Sequence, residues 1–546
     1  MIKKKTLQIH IRKEFLNKES CLAEARRILA EKLLDDMTEE QIAREIYTHA
    51  LAFYFCERTG LFPWIKKHAD PVDLCDGGDR MIMKQAFDTA WALPLRMRLR
   101  AKERIETVRR IMEVKDTRII NTDKLCPASE HCGGCIYQGV PYAEQYAAKD
   151  KSVRRLLEKH KIDESLYLGM EPAICTGAYR NKMEYTFGDL EKGGELELGM
   201  HFKGRFMSII TTDECQLVPA PFNMILRSVL GFCRSRGYVP YHRKTHLGLL
   251  RNLVVRCGVR TGEILVNIVT SSEPGFDEEA FREMLLALDL RTADERLNGE
   301  EGMKIVGIMR TFNDSVADAV IDESHRILWG RDYYNEEILG LKFKVKAFAF
   351  FQTNIDAVER LYSDVLKVVP DVSGKTVYDL YCGTGTISQL MAGAAKDVYG
   401  IDIVEDSITA ARSNTELNGI TNCHYICGDV REKLEEIPVR PDVIVVDPPR
   451  VGIHDKAVAM LCRYGIDEIV YVSCNPKTLC INLDSFRTNG YEIRSIKAYD
   501  NFPMTKHVET VCLLSNRKPD ARVKIDVDLE DYYRIKDEQK KNKASE

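Results

Sequence analysis

No run of about 20 uncharged apolar residues occurs in the 546-residue chain, which argues against a membrane-spanning helix. The opening Met-Ile-Lys-Lys-Lys-Thr-Leu-Gln has basic residues, but no apolar stretch leads to a small-residue cleavage site. A secretory leader is therefore not expected, and the cytoplasm is the expected compartment. A bulk excess of positive charge is also missing: the net charge is −4, so overall charge does not advertise nucleic-acid binding. Internal repeats are absent. The 17 cysteines are an odd number in a chain without a leader, which disfavours a disulfide framework and points to reduced thiols, a metal centre or catalysis.

The apolar fraction is 45% with ordinary glycine and proline, as in a globular protein, and the length suits about three domains. Residues 1–120 carry apolar positions at three- and four-residue spacing, as in Glu39–Phe55, and a charged segment over Leu99–Val114. They read as an α-helical N-terminal extension. Residues 121–145 form a cysteine- and glycine-rich loop. From 146 to 345 the spacing predicts a mixed α/β central domain, with strands at Lys182–Phe187, Glu195–His201, Asn252–Cys257, Glu263–Val269 and Ile305–Met309 and a helix over Asp277–Leu288. Over residues 180–260 there are 13 Lys or Arg against 7 Asp or Glu, with Tyr, Phe and His interleaved. Such a face can hold phosphates, though a solvated basic surface has the same composition.

From 346 to 516 the pattern alternates. Strands are expected at Thr376–Tyr381, Asp397–Ile401, Cys423–Cys427, Val443–Val446 and Glu468–Ser473, with a helix over Glu405–Leu417. This is the signature of a doubly wound α/β sheet, whose ligands lie at the carboxyl ends of the strands. Residues 517–546 form a charged C-terminal tail without apolar periodicity near its end.

Between the first strand of this region and its helix lies Asp-Leu-Tyr-Cys-Gly-Thr-Gly-Thr, 379–386, whose Gly383 and Gly385 permit close backbone approach to a ligand. The third glycine of the dinucleotide fingerprint is missing. Asp402 ends the next strand, where a carboxylate accepts hydrogen bonds from ribose hydroxyls, and Gly428-Asp429 ends the third, placed to meet an adenine amine. S-adenosylmethionine fits this set better than NAD. Asp447-Pro-Pro-Arg ends the fourth strand; Arg450 stands where amino-directed methyltransferases place an aromatic, which weakens an exocyclic-amine target.

Ser473-Cys474-Asn475-Pro476 follows an apolar strand, and Glu509 comes 35 residues later. A lone cysteine is more often a core residue and a strand-end carboxylate is often merely exposed. Together beside a methyl-donor site they suit one reaction. C5 of uracil cannot attack a sulfonium methyl unaided; a thiolate adding to C6 gives C5 carbanion character, and a base then removes the C5 proton so that the thiol leaves. Cys474 would be the nucleophile and Glu509 the base. A helix starting near Lys477 is expected to lower the thiol pKa through its N-terminal dipole.

Cys126-x5-Cys132-x2-Cys135 is a tight set, with Cys215 on a later β-segment. Four thiolates suit either a [4Fe–4S] cluster or tetrahedral zinc, and spacing alone separates these poorly. Cys175 is a less favoured fourth ligand.

Residues 346–515 resemble the RNA (uracil-C5-)-methyltransferase family. The matching segments are Phe-Phe-Gln-Thr-Asn (350–354), Asp-Leu-Tyr-Cys-Gly-Thr-Gly (379–385), Asp-Pro-Pro-Arg (447–450), Val-Ser-Cys-Asn-Pro-Lys-Thr-Leu (472–479) and Phe-Pro-Met-Thr-Lys-His-Val-Glu (502–509). The resemblance implies a Rossmann-like class I S-adenosylmethionine methyltransferase domain, with donor contacts at Gln352, Tyr381, Thr386, Asp402, Asp429 and Asp447. It implies Cys474 as nucleophile and Glu509 as base. It extends to the cysteines, where it implies a [4Fe–4S] cluster on Cys126, Cys132, Cys135 and Cys215, most like the 23S rRNA-modifying members. The small β-barrel that opens many members is not found here. The expectation is uridine C5 methylation in RNA, with 23S rRNA as partner; the alternatives are a tRNA T-loop methyltransferase and a non-catalytic iron–sulfur RNA-binding protein.

Overall fold

The computed structural model describes residues 22–23, 25–27, 125–243, 245–291, 302–317, 320–369 and 372–516. The helical reading of 1–120 lies outside these apart from 22–23 and 25–27, which are helical, and the charged tail from 517 lies outside them altogether. Among the described residues no helix is long and apolar enough to cross a membrane.

In chain order the elements are α1 (Tyr142–Lys159), β1 (Tyr167–Glu171), β2 (Lys182–Asp189), β3 (Leu196–Phe202), β4 (Arg205–Thr211), α2 (Ala220–Ser235), β5 (Leu250–Cys257), β6 (Glu263–Thr270), α3 (Glu278–Leu286), β7 (Lys304–Phe312), β8 (Ser324–Gly330), β9 (Tyr333–Ile338) and β10 (Leu341–Lys346). The C-terminal half adds α4 (Ile355–Val368), β11 (Thr376–Leu380), α5 (Thr386–Ala392), β12 (Asp397–Asp402), α6 (Glu405–Leu417), β13 (Cys423–Cys427), α7 (Val430–Lys433), β14 (Val443–Val446), α8 (Asp455–Arg463), β15 (Glu468–Ser473), α9 (Pro476–Thr488), β16 (Tyr491–Tyr499) and β17 (Glu509–Asn516).

The eight-stranded sheet runs β1-β16-β17-β15-β14-β11-β12-β13. Its parallel heart, β11, β14 and β15, reads Thr-Val-Tyr-Asp-Leu, Val-Ile-Val-Val and Glu-Ile-Val-Tyr-Val-Ser and is almost wholly buried. Continuous β-branched runs are what a strand covered on both faces requires. One face packs under α1, α8 and α9 through Tyr146, Leu461, Leu483 and Phe486. The other lies under α4, whose Val358, Leu361, Tyr362 and Val365 recur at helical spacing and are buried. Asn354 caps α4 by accepting from the Ala357 N–H at 3.3 Å.

Strand order reverses at β11, between β12 and β14, which opens a ligand crevice at the carboxyl ends of these strands. β17 is antiparallel to both β15 and β16 and lies between them. Its direction brings its first residue, not its last, to that same crevice.

The second sheet has seven strands, β4-β3-β2-β5-β6-β7-β8, antiparallel except where α3 carries the chain from β6 to a parallel β7. The expected boundary at 146 differs from the arrangement seen. α1 packs on the methyltransferase-like sheet, and β1 pairs with β16. β1 is short and only partly apolar, so its place at a distant sheet edge has no local sequence signal.

Candidate active site

The loop after β11 is held open by its own backbone. Gly383 and Gly385 take φ of +52° and +73°, and Tyr381 also adopts a left-handed φ of +64°. A Cβ on Gly385 would lie 2.5 Å from Tyr425 Oη, so only glycine fits there; one on Gly383 would meet nothing within 4 Å, so that stretch of backbone is open to a ligand. Asp402, at the end of β12, accepts from the N–H of Gly383 at 3.0 Å and of Val404 at 2.9 Å, tying the loop to the neighbouring strand. Below the loop Asp379 is fully buried. Ser388 Oγ donates to its Oδ2 at 2.6 Å, while Oδ1 has no hydrogen-bond partner. Burial pushes its carboxyl up to about 7 despite the Ser388 bonds.

The remaining expected donor contacts are placed unevenly. Gln352 Nε2 donates to Tyr362 Oη at 3.2 Å, beside the carboxylates of Asp447, Asp379 and Glu509, whose charges help raise the Tyr362 phenol after burial itself. Thr386 is the first residue of α5 and is buried. Tyr381 is partly buried and feels the charges of Asp429 and Arg431. Asp429 caps α7 and is gripped by the Arg431 guanidinium, whose hydrogen bonds pull its carboxyl down to about 2. Any adenine contact by Asp429 must use the lone pairs left over.

These features fit an S-adenosylmethionine site: a glycine backbone with open space before it, a strand-end carboxylate for hydroxyls, and an unused buried acceptor for a cationic group.

Cys474 and Glu509 come together through strand register. Ser473 of β15 faces Thr510 of β17, and Thr510 Oγ1 donates to the Ser473 carbonyl at 3.0 Å. The next residues outward from this last pair are Cys474 and Glu509, close enough that the Glu509 charge acts on the thiol. Asp447, at the end of β14, and Arg450 complete the group. Burial pushes Cys474 up to about 11, with the Glu509 and Asp447 charges adding to the rise, while the charge and hydrogen bond of Arg450 oppose it. The expected lowering of the thiol pKa by the following helix is therefore corrected. α9 does begin at Pro476 behind an Asn475 cap, but burial and two carboxylates disfavour the thiolate there.

Glu509 is 8% exposed. Burial first, then Asp447, raises it to about 8, against Arg450. Asp447 itself is raised to about 7 by burial and by Asp379. An acid poised near neutrality suits proton transfer in either direction. Arg450 was noted in the sequence only for the aromatic it replaces; its part beside the thiol follows from packing. Asn475 Nδ2 and Thr478 Oγ1 donate to the Arg450 carbonyl at 3.1 and 3.2 Å, which fixes that loop over the start of α9.

The 500–508 loop that delivers Glu509 is braced from outside the sheet. Lys149 of α1 forms a buried ion pair with Asp500 at 2.6 Å and donates to the Phe502 carbonyl at 2.9 Å. Asn354 Nδ2 donates to the Asn501 carbonyl at 2.7 Å. Met504, at φ +66°, donates its N–H to Gln145 Oε1 at 2.9 Å, and its carbonyl accepts from the N–H groups of Ile136 and Tyr137 at 3.0 and 3.3 Å. Sequence reasoning missed this bracing, since Lys149 and Asp500 are 351 positions apart and carry no local pattern.

Ile136 directly follows the cysteine set. Cys126, Cys132, Cys135 and Cys215 share one neighbourhood: burial raises each thiol, and Cys126, Cys132 and Cys215 each add to the rise of at least one other member of the set. Cys135 and Cys215 pack with Tyr179, Leu217 and Met504. Among the described residues no three His, Cys, Asp or Glu side chains close around a single ion. A polynuclear cluster needs its thiolates farther apart than one ion does, and four soft sulfur donors are the ligand chemistry it takes. Cys175 instead donates to the Gly177 carbonyl at 2.9 Å.

The strand order 3-2-1-4-5-7-6 that β13, β12, β11, β14, β15, β17 and β16 trace, with its glycine loop at the switch point, defines a class I S-adenosylmethionine-dependent methyltransferase. Residues 319–517 match the family described as tRNA (Uracil-5-)-methyltransferase. The chain is 42% identical over 414 residues to an uncharacterized RNA methyltransferase of Clostridium tetani, covering 76% of this chain and 88% of that one. It is 46% identical over 392 residues to another from Clostridium acetobutylicum, covering 72% and 84%. Among solved structures it is similar to the Pyrococcus abyssi tRNA (uracil-54, C5)-methyltransferase in complex with S-adenosyl-L-homocysteine. The identity is 27% and the TM-score 0.56, over 70% of this chain and 84% of that one. The chain belongs to the RNA uracil-C5 methyltransferase family.

Proposed function

We propose that this enzyme methylates C5 of a uridine in 23S rRNA through a covalent adduct on Cys474. The observation that carries the reading is the Ser473–Thr510 pair that ends β15 against β17, beside which Cys474 lies within reach of the charges of Glu509, Asp447 and Arg450. Gln352, Tyr381, Thr386, Asp402, Asp429 and Asp447 hold the methyl donor. When bound, S-adenosylmethionine supplies an electrophilic methyl group.

Cys474 Sγ gives up its proton to solvent as it bonds to C6 of the uracil, which leaves Glu509 free as carboxylate, and the C5=C6 electron pair moves toward the C4 carbonyl as an enolate. C5 then carries the nucleophilic pair that takes the methyl group. Glu509 as carboxylate removes the C5 proton; that bonding pair re-forms C5=C6, and the C6–S bond breaks to release Cys474. Because the thiol starts protonated, Arg450 matters most at the moment of addition, where its charge stabilises the developing thiolate. The buried site requires the target base to leave its stack.

The cysteine loop supports rRNA as the substrate only through its resemblance to the rRNA-modifying members of the family, and Cys126, Cys132, Cys135 and Cys215 are proposed to bind a [4Fe–4S] cluster that holds this loop. Iron and acid-labile sulfide analysis of anaerobically purified protein tests it: Cys132→Ser should lose both. The similarity to an archaeal tRNA (uracil-54, C5)-methyltransferase favours the second reading, a tRNA T-loop uridine. Mapping 5-methyluridine by mass spectrometry in 23S rRNA and in tRNA, from cells with and without the gene, decides between them. Loss of one rRNA mark, restored by wild type and not by Cys474→Ala, is the expected result.

A further inference from the structure

The tip of the β3–β4 hairpin is built unlike the rest of its sheet. Phe202 and Arg205 are paired across a two-residue turn, Lys203-Gly204, with Gly204 at φ +78°. β4 is the edge strand, and its first three residues, Arg205, Phe206 and Met207, are all exposed instead of alternating inward and outward. Phe206 is 63% exposed. Consecutive exposed apolar residues are disfavoured on a soluble surface unless something covers them.

The two phenylalanines sit in matched settings. Phe206 stacks on His201 with centroids 5.0 Å apart and planes within 6°, and the Arg243 guanidinium lies 4.6 Å from its ring centre. Phe202 stacks on His131 at 5.0 Å, with the Arg205 guanidinium 5.0 Å from its ring. Rings stacked on imidazoles and overlain by guanidinium groups bring aromatic surface and positive charge together. Lys203 and Arg205 have no carboxylate partner among the described residues, so their charge is available to an anion.

This tip is tied to the catalytic loop. Gly133 N–H donates to the His201 carbonyl and Lys203 N–H to the His131 carbonyl, while three residues further on Ile136 and Tyr137 hold the Met504 carbonyl, five residues before Glu509. The three-residue step spans at most about 10 Å and the five-residue one about 18 Å, so a short stretch of backbone and two sets of hydrogen bonds join the tip to the loop that carries Glu509.

We propose that the β3–β4 hairpin tip is a stacking platform for unpaired bases of the substrate RNA, with Phe206 and Phe202 under bases and Lys203 and Arg205 against phosphates. The inference deepens the reading above and rests on RNA being the substrate. Aromatic rings with interleaved cations are the general solution for holding a single strand, because every base has a π-face.

The test uses the full-length protein with a short fluorescent oligouridylate and an RNA duplex of equal length. Phe206→Ala should weaken oligouridylate binding roughly 5- to 150-fold, equivalent to about 1–3 kcal/mol per stacked base. Phe206→Tyr should restore it, and duplex binding should be unchanged. Phe206→Leu keeps the apolar bulk without the ring and should remain weak. Arg205→Ala should lower the dependence of log affinity on log salt by about 0.7. Equal binding by wild type, Ala and Leu variants overturns the platform, as does equal weakening on duplex or failure of the wild type to bind oligouridylate. Methyl transfer is scored separately. If the wild type transfers no methyl group while oligouridylate binding still depends on Phe206, the C5 reading falls and the platform stands.

Discussion

Replacing Glu509 by glutamine should make the protein more stable as pH rises while stopping its turnover. Glu509 is buried, and its carboxyl is raised from the ordinary 4.5 to about 8. Below about pH 4.5 it is protonated in folded and unfolded chains alike and its acidity costs nothing. Between about 4.5 and about 8 the unfolded chain ionises while the folded one does not, so stability is lost with rising pH. The loss is complete above about 8, at most about 5 kcal/mol. Glutamine has the same shape and no charge to bury, so it escapes this loss. The gain of Glu509→Gln over wild type should grow by roughly 3 kcal/mol between about pH 5.5 and about pH 8.5. In thermal unfolding that corresponds to a difference in Tm widening by on the order of 5–10 °C. Turnover should fall about 100- to 10,000-fold through loss of the base, with the Cys474–RNA adduct accumulating on ordinary substrate. A stability difference that stays flat across this pH range, or that favours wild type at the alkaline end, refutes a buried, protonated Glu509.

Gly385→Ala forces a Cβ to 2.5 Å from Tyr425 Oη, whereas Gly383→Ala meets open space. Calorimetric titration should show donor affinity falling at least about tenfold for the first; the second should also lose about 1–2 kcal/mol of stability through its left-handed φ. Asp402→Asn sets an amide against the Gly383 or Val404 N–H and should weaken donor binding about 10- to 100-fold by the same measurement. Lys149→Met leaves Asp500 charged and buried, which should cost about 3–5 kcal/mol in denaturant unfolding. Adding Asp500→Asn to it should recover most of that loss.

The doubly wound region was legible because β11, β14 and β15 are buried on both faces and are therefore dominated by apolar and β-branched residues, continuously so in β14. The glycine loop was legible because only glycine tolerates the approach of Tyr425 at 385. Cys474 and Glu509 could be named as residues, yet their meeting depends on β17 running antiparallel between β15 and β16, a register set by tertiary pairing. The thiol's acidity was misjudged for a related reason. A helix start is visible in Asn475-Pro476, whereas the approach of Asp447 and Glu509 from two other strands is not. β1 and α1 had no legible place in the sequence because their partners, β16, α9 and the 500–508 loop, lie more than 300 residues away.

The central claim, covalent addition of Cys474 to uracil C6, is tested most directly with 5-fluorouridine-substituted 23S rRNA and tRNA transcripts in the presence of S-adenosylmethionine. Fluorine at C5 cannot be removed by Glu509, so the adduct should persist and peptide mass spectrometry should locate it on Cys474, with none formed by Cys474→Ala. Methyl transfer to ordinary RNA with no trapped adduct, or an adduct on a different cysteine, would contradict it.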